Sequence, residues 1–462
     1  MKNTASQTIV QLILPLVILL FLASAFAYLM PMFTPIQTLV FGGGIIIVIV
    51  CLVSTEAALY LLIFSMLLGP EIVVGTTGRS SAGRGVSLRL DDFLLLVIGC
   101  TWLAKMAINK ELGLFLRTPL NKPIAFYMSA CLASTLLGAL FGEVELKTGF
   151  FFVLKYFEYM LIYLMVVNHL HERRQIRNYL WAMLITCAIV SIMGIAQIPE
   201  GVRVSAPFEG EIGEPNTFGG YLVFMICITI GLFLTSASLR AHLIYGSLIL
   251  LFIVPLIYTQ SRSSYLALIP AMLAFVWLSE KKHIVLLVLV LGTLLLPFIA
   301  PEPAKDRVAY TFTQGKNETD VVEILDVKLD TSTSARLMSW KEVSKDWIKH
   351  PFLGFGVTGY GFIDGQYFRV LVETGILGLV AFSVLVYSIF GQGYRIFRES
   401  LKPLERGISM GFLAGFVGLL AHGLTANTFT IIRIMEPFWF VLAIVIMLPD
   451  LESKGAVKVD NG

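Results

Sequence analysis

Runs of about twenty apolar residues recur along the whole chain, and nothing else in the sequence limits its folding as severely. Twenty helical residues rise about 30 Å, the thickness of a hydrocarbon core. Of the 462 residues, 57% are hydrophobic and only 14% are charged. Soluble domains hold roughly 45–50% apolar and about 25% charged residues. A soluble multidomain protein and a disordered chain are both excluded. The expected fold is an all-α polytopic membrane protein.

Candidate spans lie near 8–29, 35–53, 55–69, 91–108, 123–141, 149–169, 178–198, 217–236, 242–260, 262–279, 284–300, 369–394, 407–424 and 431–449, giving twelve to fourteen transmembrane helices. The segment 55–69 is short and with 35–53 allows a tilted or re-entrant hairpin. The first run lacks a strongly basic leader and an evident small-residue cleavage site, so a retained helix is expected. The organisation expected is about eleven helices over 1–300, an extracytoplasmic loop domain over 301–368, three helices over 369–449 and a cytoplasmic tail at 450–462. Loops as long as 301–368 are usually functional or disordered. Here an amphipathic stretch (Leu337, Trp340, Val343, Trp347, Ile348) points to an ordered segment with at least one helix.

Orientation follows from the basic loops. Lys105, Lys110, Arg117 and Lys122 fall in one; Arg173, Arg174 and Arg177 in another; Lys281 and Lys282 in a third; Arg395, Arg398, Lys402 and Arg406 in a fourth. With fourteen spans and a cytoplasmic N-terminus, all four face the cytoplasm. The loop 70–90 is the exception. It carries Arg79, Arg84 and Arg89 on the outer side, so either the hairpin before it is miscounted or these arginines meet an external anion.

The net charge of +3 gives no reason to expect a nucleic-acid partner. Cys51, Cys100, Cys131, Cys187 and Cys227 all sit in apolar runs without metal or disulfide spacing, and the six histidines form no HExxH pattern. No phosphate-binding Walker loop, metal-ligand cluster or DxD motif is present, so no metal or cofactor is expected.

Polar residues with chemical potential cluster in the outer loops. Arg203 opens a segment running through Pro207, Glu209 and Glu211 to Glu214-Pro215-Asn216, where Asn216 is placed to cap the next helix. Arg262, in TQSRSSYLAL, lies at a membrane boundary, where it either snorkels or faces a phosphate or carboxylate. Arg336 is expected to begin the amphipathic helix, His350 to end it and Pro351 to stop it. GFGVTG at 354–359 formally matches GxGxxG, but no βα unit surrounds it, so it reads as a glycine-rich turn. Asp364 follows, with Gln366 and Tyr367 beside it. Arg369 with Glu373 and Lys155 with Glu158 have the spacing of local ion pairs, and Arg433 with Glu436 is similar. Gly407, Gly411 and Gly415 suit close helix packing.

Together these stretches resemble the O-antigen ligase/polymerase superfamily of bacterial membrane glycan transferases. The carriers are Arg203 through GEPNTFGGYL, then TQSRSSYLAL, then RLMSWKEVSKDWIKHPFLGFGVTGYG and DGQYFRVLVETGILGLVAF. The resemblance implies a metal-independent transferase at the outer face of the bacterial cytoplasmic (inner) membrane. Its donor would be a polyprenyl-pyrophosphate-linked oligosaccharide and its acceptor a second glycan, among membrane lipid and with other polysaccharide-assembly or chain-length proteins as partners. Arg203 and Arg262 match the diphosphate clamps, and Arg336 is a further substrate-binding candidate. The family's ligases look to have histidine where this chain has Asp364, nine residues before Glu373. Asp364 is then the expected general base, and a polymerase of surface or exported polysaccharide is favoured over a ligase. A transporter or export-complex scaffold is the alternative from another class.

Overall fold

The computed structural model describes residues 35–76, 85–108, 116–208, 213–299, 301–313, 322–324 and 327–460. The expected span 8–29 and the residues Arg79, Arg84, Lys110, Glu209 and Glu211 lie outside the described residues. Every other expected span coincides with a helix. In chain order these are α1 (Pro35–Val53), α2 (Thr55–Leu68), α3 (Leu90–Ile108), α4 (Asn121–Leu140), α5 (Leu146–His169), α6 (Arg173–Gln197), α7 (Pro215–Thr235), α8 (Leu239–Tyr258), α9 (Arg262–Leu278) and α10 (Lys282–Ile299). After α11 (Glu302–Thr313) and α12 (Thr331–Asp346) come α13 (Gln366–Glu399), α14 (Pro403–His422) and α15 (Ile432–Asp460).

Among the described residues, eight helices are long and apolar enough to cross a membrane: α4 to α8 and α13 to α15. Shorter apolar helices at Thr55–Leu68, Arg262–Leu278 and Lys282–Gly292 accompany them. The fold is that of an all-α polytopic membrane protein, with two small additions. β1 (Glu71–Thr76) and β2 (Gly85–Arg89) form an antiparallel hairpin between α2 and α3, and β3 (Glu323–Ile324) pairs with β4 (Val327–Lys328) ahead of α12.

Local chemistry sets the helix ends. Ser54, Ser238 and Ser261 cap α2, α8 and α9 through their hydroxyls, and Glu172 with Gln175 forms a capping box on α6. Pro215 and Pro403 occupy first-turn positions of α7 and α14, where a missing N–H costs nothing. The apolar stretches of α7 and α15 are 83% and 89% buried against 17% for α8, so the first two form the centre and α8 the rim. A Cβ on Gly231 of α7 would lie 2.2 Å from the Gly407 carbonyl oxygen, and one on Gly411 of α14 would lie 2.7 Å from the Cys227 oxygen. The glycine stripe thus lets the two backbones touch.

Two ion pairs join basic loops at one end of the bundle. Arg173 meets Glu405 at 3.2 Å, and Arg406 meets Glu280 at 2.7 Å. The opposite end gathers the C-termini of α6, α8 and α14 with the N-termini of α7, α9, α13 and α15. That end carries the candidate site.

Candidate functional site

The motif Ser261-Arg262-Ser263-Ser264 opens α9, and each serine is committed to a different neighbour. Ser261 Oγ donates to Asn216 Oδ1 of α7 at 2.8 Å. Ser263 Oγ accepts from Thr425 Oγ1, just past α14, at 2.8 Å. Ser264 Oγ donates to Ser261 Oγ at 2.8 Å and lies 3.3 Å from Nε2 of the buried His422, whose Nδ1 is 2.7 Å from Thr428 Oγ1. A Cβ on Gly219 would approach Ser264 Oγ to 2.2 Å, so α7 needs its glycine there. Asn216 therefore ties α7 to α9 and does not cap its own helix; Glu214 holds that position. With the serines fixed, Arg262 reaches toward the segment before α12.

Arg203 approaches the same place from the α6–α7 loop. Its Nε donates to the Thr259 carbonyl at 3.1 Å and its Nη2 to the Gln260 carbonyl at 3.3 Å. These acceptors end α8 and immediately precede the Ser261-Arg262 step. The Val204 N–H donates to the Tyr258 carbonyl at 3.0 Å, and both polar atoms of the Gln197 amide clip Ser205 at 3.1 Å. Gln260 itself holds a left-handed φ of 50°, a conformation uncommon for a non-glycine residue. Partial burial, followed by the repulsion of Arg307 and Arg262 and opposed only by Tyr265, lowers the Arg203 guanidinium to about 10. Among the described residues no carboxylate pairs with it.

Arg262 Nη2 donates to Asp330 Oδ2 at 2.8 Å, and Ser332 Oγ joins the same group. Burial alone would raise the Asp330 carboxyl. Hydrogen bonds from Arg262, Thr333 and Ser332 outweigh it and hold the group well below the usual carboxylate range. Asp330 stands at the start of α12, and Arg336 follows six residues on, about 9 Å along the helix. Arg336 Nε lies 3.4 Å from Asp364 Oδ2, and Asp364 remains 33% exposed. Trp340 Nε1 donates to the Asp364 carbonyl at 2.7 Å, while its ring stacks on Phe368 at 5.0 Å. Arg203, Arg262, Arg336 and Asp364 are thus linked through neighbouring contacts on one end of the bundle. Arg336 sits in the second turn of α12 and does not begin that helix.

The glycine-rich turn has a structural task. Gly375 (φ 63°, ψ −166°) breaks α13, and the segment 351–356 fills the break. Phe355 and Gly356 N–H groups donate to the Val372 and Glu373 carbonyls at 2.9 and 2.8 Å. The Ile376 and Leu377 N–H groups donate back to Pro351 and Phe352 at 2.9 and 3.1 Å. Ser134 of α4 adds a hydroxyl to the Glu373 carbonyl at 2.6 Å. Arg369 pairs with Glu373 at 3.1 Å, as its spacing led one to expect, and Glu373 also accepts from the Thr358 N–H at 3.2 Å. Irregular backbone inside a membrane protein survives only when its polar groups are satisfied in this way.

Two expectations about charge require correction. Arg89 does not face an external anion: it is buried against Asp91 at 3.0 Å and Glu436 at 3.9 Å. Arg433 does not pair locally with Glu436. Its guanidinium donates to the carbonyls of Leu67, Pro207, Gly69 and Phe208, which holds the loop that begins at Arg203. Lys155 does pair with Glu158, at 3.2 Å, but also with Asp92. The sequence reading did not single out Asp330, Arg307 or His422, and placed Trp340 only in the amphipathic stretch. Asp330 alone left a usable signal, as an Asp directly before a Thr/Ser-rich helix start.

No curated protein matches this chain. Residues 246–383 match the Wzy_C family model, described as O-Antigen ligase. That range takes in Arg262, Asp330, Arg336, Asp364 and the break at Gly375, and leaves Arg203 outside. Over those residues the chain is similar to the O-antigen ligase family, in line with the superfamily that its sequence resembles.

Proposed function

We propose that the protein is a membrane glycosyltransferase that polymerises polyprenyl-pyrophosphate-linked oligosaccharide repeats into a surface or exported polysaccharide. The observation that carries this reading is Arg203, a half-buried guanidinium held on the Thr259 and Gln260 carbonyls just before Arg262, without a carboxylate partner among the described residues. At the same end of the bundle Arg262 and Arg336 each have a carboxylate, Asp330 and Asp364, which leaves Arg203 as the cation for an anionic ligand. Such a site suits a diphosphate. Breaking a sugar–pyrophosphate bond needs positive charge on the leaving group, which fixed guanidiniums supply without reorganising.

Arg203 and Arg262 hold the donor diphosphate, and Arg336 orients Asp364. Asp364 accepts the proton of the acceptor hydroxyl as the glycosidic bond forms, and the polyprenyl pyrophosphate leaves. The basic loops gather at the opposite end of the bundle, and the positive-inside rule assigns that end to the cytoplasm. The site then opens on the outer face of the bacterial inner membrane.

One observation favours a second reading, transfer of a finished glycan to a lipid or protein acceptor: the matched family model is described as a ligase. Arg203→Ala and Arg262→Ala, each in cells lacking the native copy, test the shared mechanism. Loss of polymer is expected in both, with unchanged amounts of folded protein for Arg203→Ala, since Arg262 also pairs with the buried Asp330. Normal polymer length in both variants would sink it.

A further inference from the structure

Arg433 is the second residue of α15 and is buried, although a cation at the start of a helix opposes the helix dipole. Its partners lie on two separate segments. Nη1 donates to the Leu67 carbonyl at 3.0 Å and to the Pro207 carbonyl at 3.1 Å. Nη2 donates to the Phe208 carbonyl at 3.0 Å and to the Gly69 carbonyl at 3.4 Å. Leu67 lies in the last turn of α2 and Gly69 caps it, where a positive charge is favourable. Arg89 holds the same helix end through the Met66 carbonyl at 2.6 Å. Arg433 therefore ties the Pro207–Phe208 step to a helix end on which a second arginine also rests.

The step itself is strained. Successive carbonyls of an extended chain point to opposite sides, so those of Pro207 and Phe208 reach one guanidinium only where the chain turns. Phe208 makes the turn with a φ of 59°, a value a bulky side chain rarely adopts. Strain of this kind persists only where the surroundings impose it, and it points to a function. Phe208 is 54% exposed, so its carbonyl holds the turn and not burial of its ring. Five residues earlier, the same strand of chain is fastened elsewhere. Arg203 donates to the Thr259 and Gln260 carbonyls, the Val204 N–H to the Tyr258 carbonyl, and the Ser205 N–H to Gln197 Oε1. The segment 203–208 thus runs between the ends of α6 and α8 on one side and the start of α15 on the other.

We propose that Arg433 is a positioning residue: its grip on the Pro207 and Phe208 carbonyls sets where Arg203 stands for the donor diphosphate. This rests on the diphosphate reading of Arg203 given above. Arg433 is buried and acts only through the backbone it holds. Lysine cannot replace it, because a compact ammonium with three protons does not span the four carbonyls that the planar guanidinium reaches.

Binding of polyprenyl pyrophosphate to the purified full chain in nanodiscs, combined with hydrogen exchange, tests the assignment. Arg203→Ala should weaken binding roughly tenfold or more, as expected for loss of a hydrogen bond to a charged group. Arg433→Lys should weaken it too, and the double variant should bind no worse than Arg203→Ala, because both act through one guanidinium. Losses that multiply in the double variant would mark an independent structural role and overturn the proposal. Exchange at the Val204 and Ser205 amides reads the segment without any ligand. Arg433→Lys should expose both amides. Phe208→Pro, which keeps Arg433 but cannot hold a φ of 59°, should expose them as well, and serves if Arg433→Lys does not fold. Full protection of these amides in a folded variant would overturn the positioning role alone. Wild-type binding by Arg203→Ala would instead remove the diphosphate reading on which that role depends.

Discussion

Replacing Gly375 by alanine tests whether the glycine-rich turn and the broken helix are one unit. At φ 63° and ψ −166° the residue occupies a region that is essentially reserved for glycine, where a side chain costs roughly 1–3 kcal/mol. A Cβ there would also lie 2.4 Å from the Phe352 carbonyl carbon and oxygen, which is far inside contact distance. The chain can escape by straightening α13 and releasing the turn. That forfeits the four backbone hydrogen bonds linking 351–356 to 372–377. At about 0.5–1.5 kcal/mol net for each, the loss is roughly 2–6 kcal/mol, a large part of a typical stability of about 5–15 kcal/mol. Thermal unfolding of the purified protein in detergent should therefore show a clear destabilisation. Hydrogen exchange should show lost protection at the Phe355 and Gly356 amides. An unchanged midpoint together with unchanged protection at those amides would refute the coupling.

Asp330→Asn should destabilise the protein at neutral pH by about 2 kcal/mol, since hydrogen bonds to charged groups contribute roughly 1.5–3 kcal/mol. The Asp330 carboxyl is held low in the folded state, so its contribution is complete above the unfolded value near pH 4 and is lost as pH falls below it. The gap between the two melting curves should begin to narrow near pH 4 and go on narrowing below pH 3, and a constant gap would contradict the pair. Gly365→Ala would place a Cβ 2.9 Å from Trp340 Nε1 at a φ of 121°. It should move Trp340 off Asp364 and lower turnover at least tenfold, with tryptophan fluorescence reporting the shift; unaltered fluorescence and activity would contradict this.

Length and apolarity alone made most of the fold legible, because in lipid a helix must satisfy its own backbone and every span announces itself. The glycine stripe on α14 was equally readable, since close packing leaves a four-residue period. The site was legible only in part. Arg262 stood out because it falls between two spans joined almost without a loop, but its partner Asp330 lies 68 residues away and no local spacing links them. Arg89 and Arg433 were misread for the same reason. A guanidinium on a long flexible side chain takes partners from whatever the packing brings near: for Arg89 the neighbouring Asp91 and, across helices, Glu436, and for Arg433 a row of backbone carbonyls. The role of Gly375 was hidden because a helix break filled by a distant turn has the composition of an ordinary apolar helix.

The central claim is tested most directly with the purified protein in nanodiscs, given a native lipid-linked repeat unit with chelator present and its products sized by mass spectrometry. Growth in whole-repeat steps with release of polyprenyl pyrophosphate is predicted for the wild type, and neither should occur with Arg203→Ala. Carrier release only on addition of a separate acceptor would replace the polymerase by a ligase. A carrier never released under either condition would contradict the account and leave transport or scaffolding in its place.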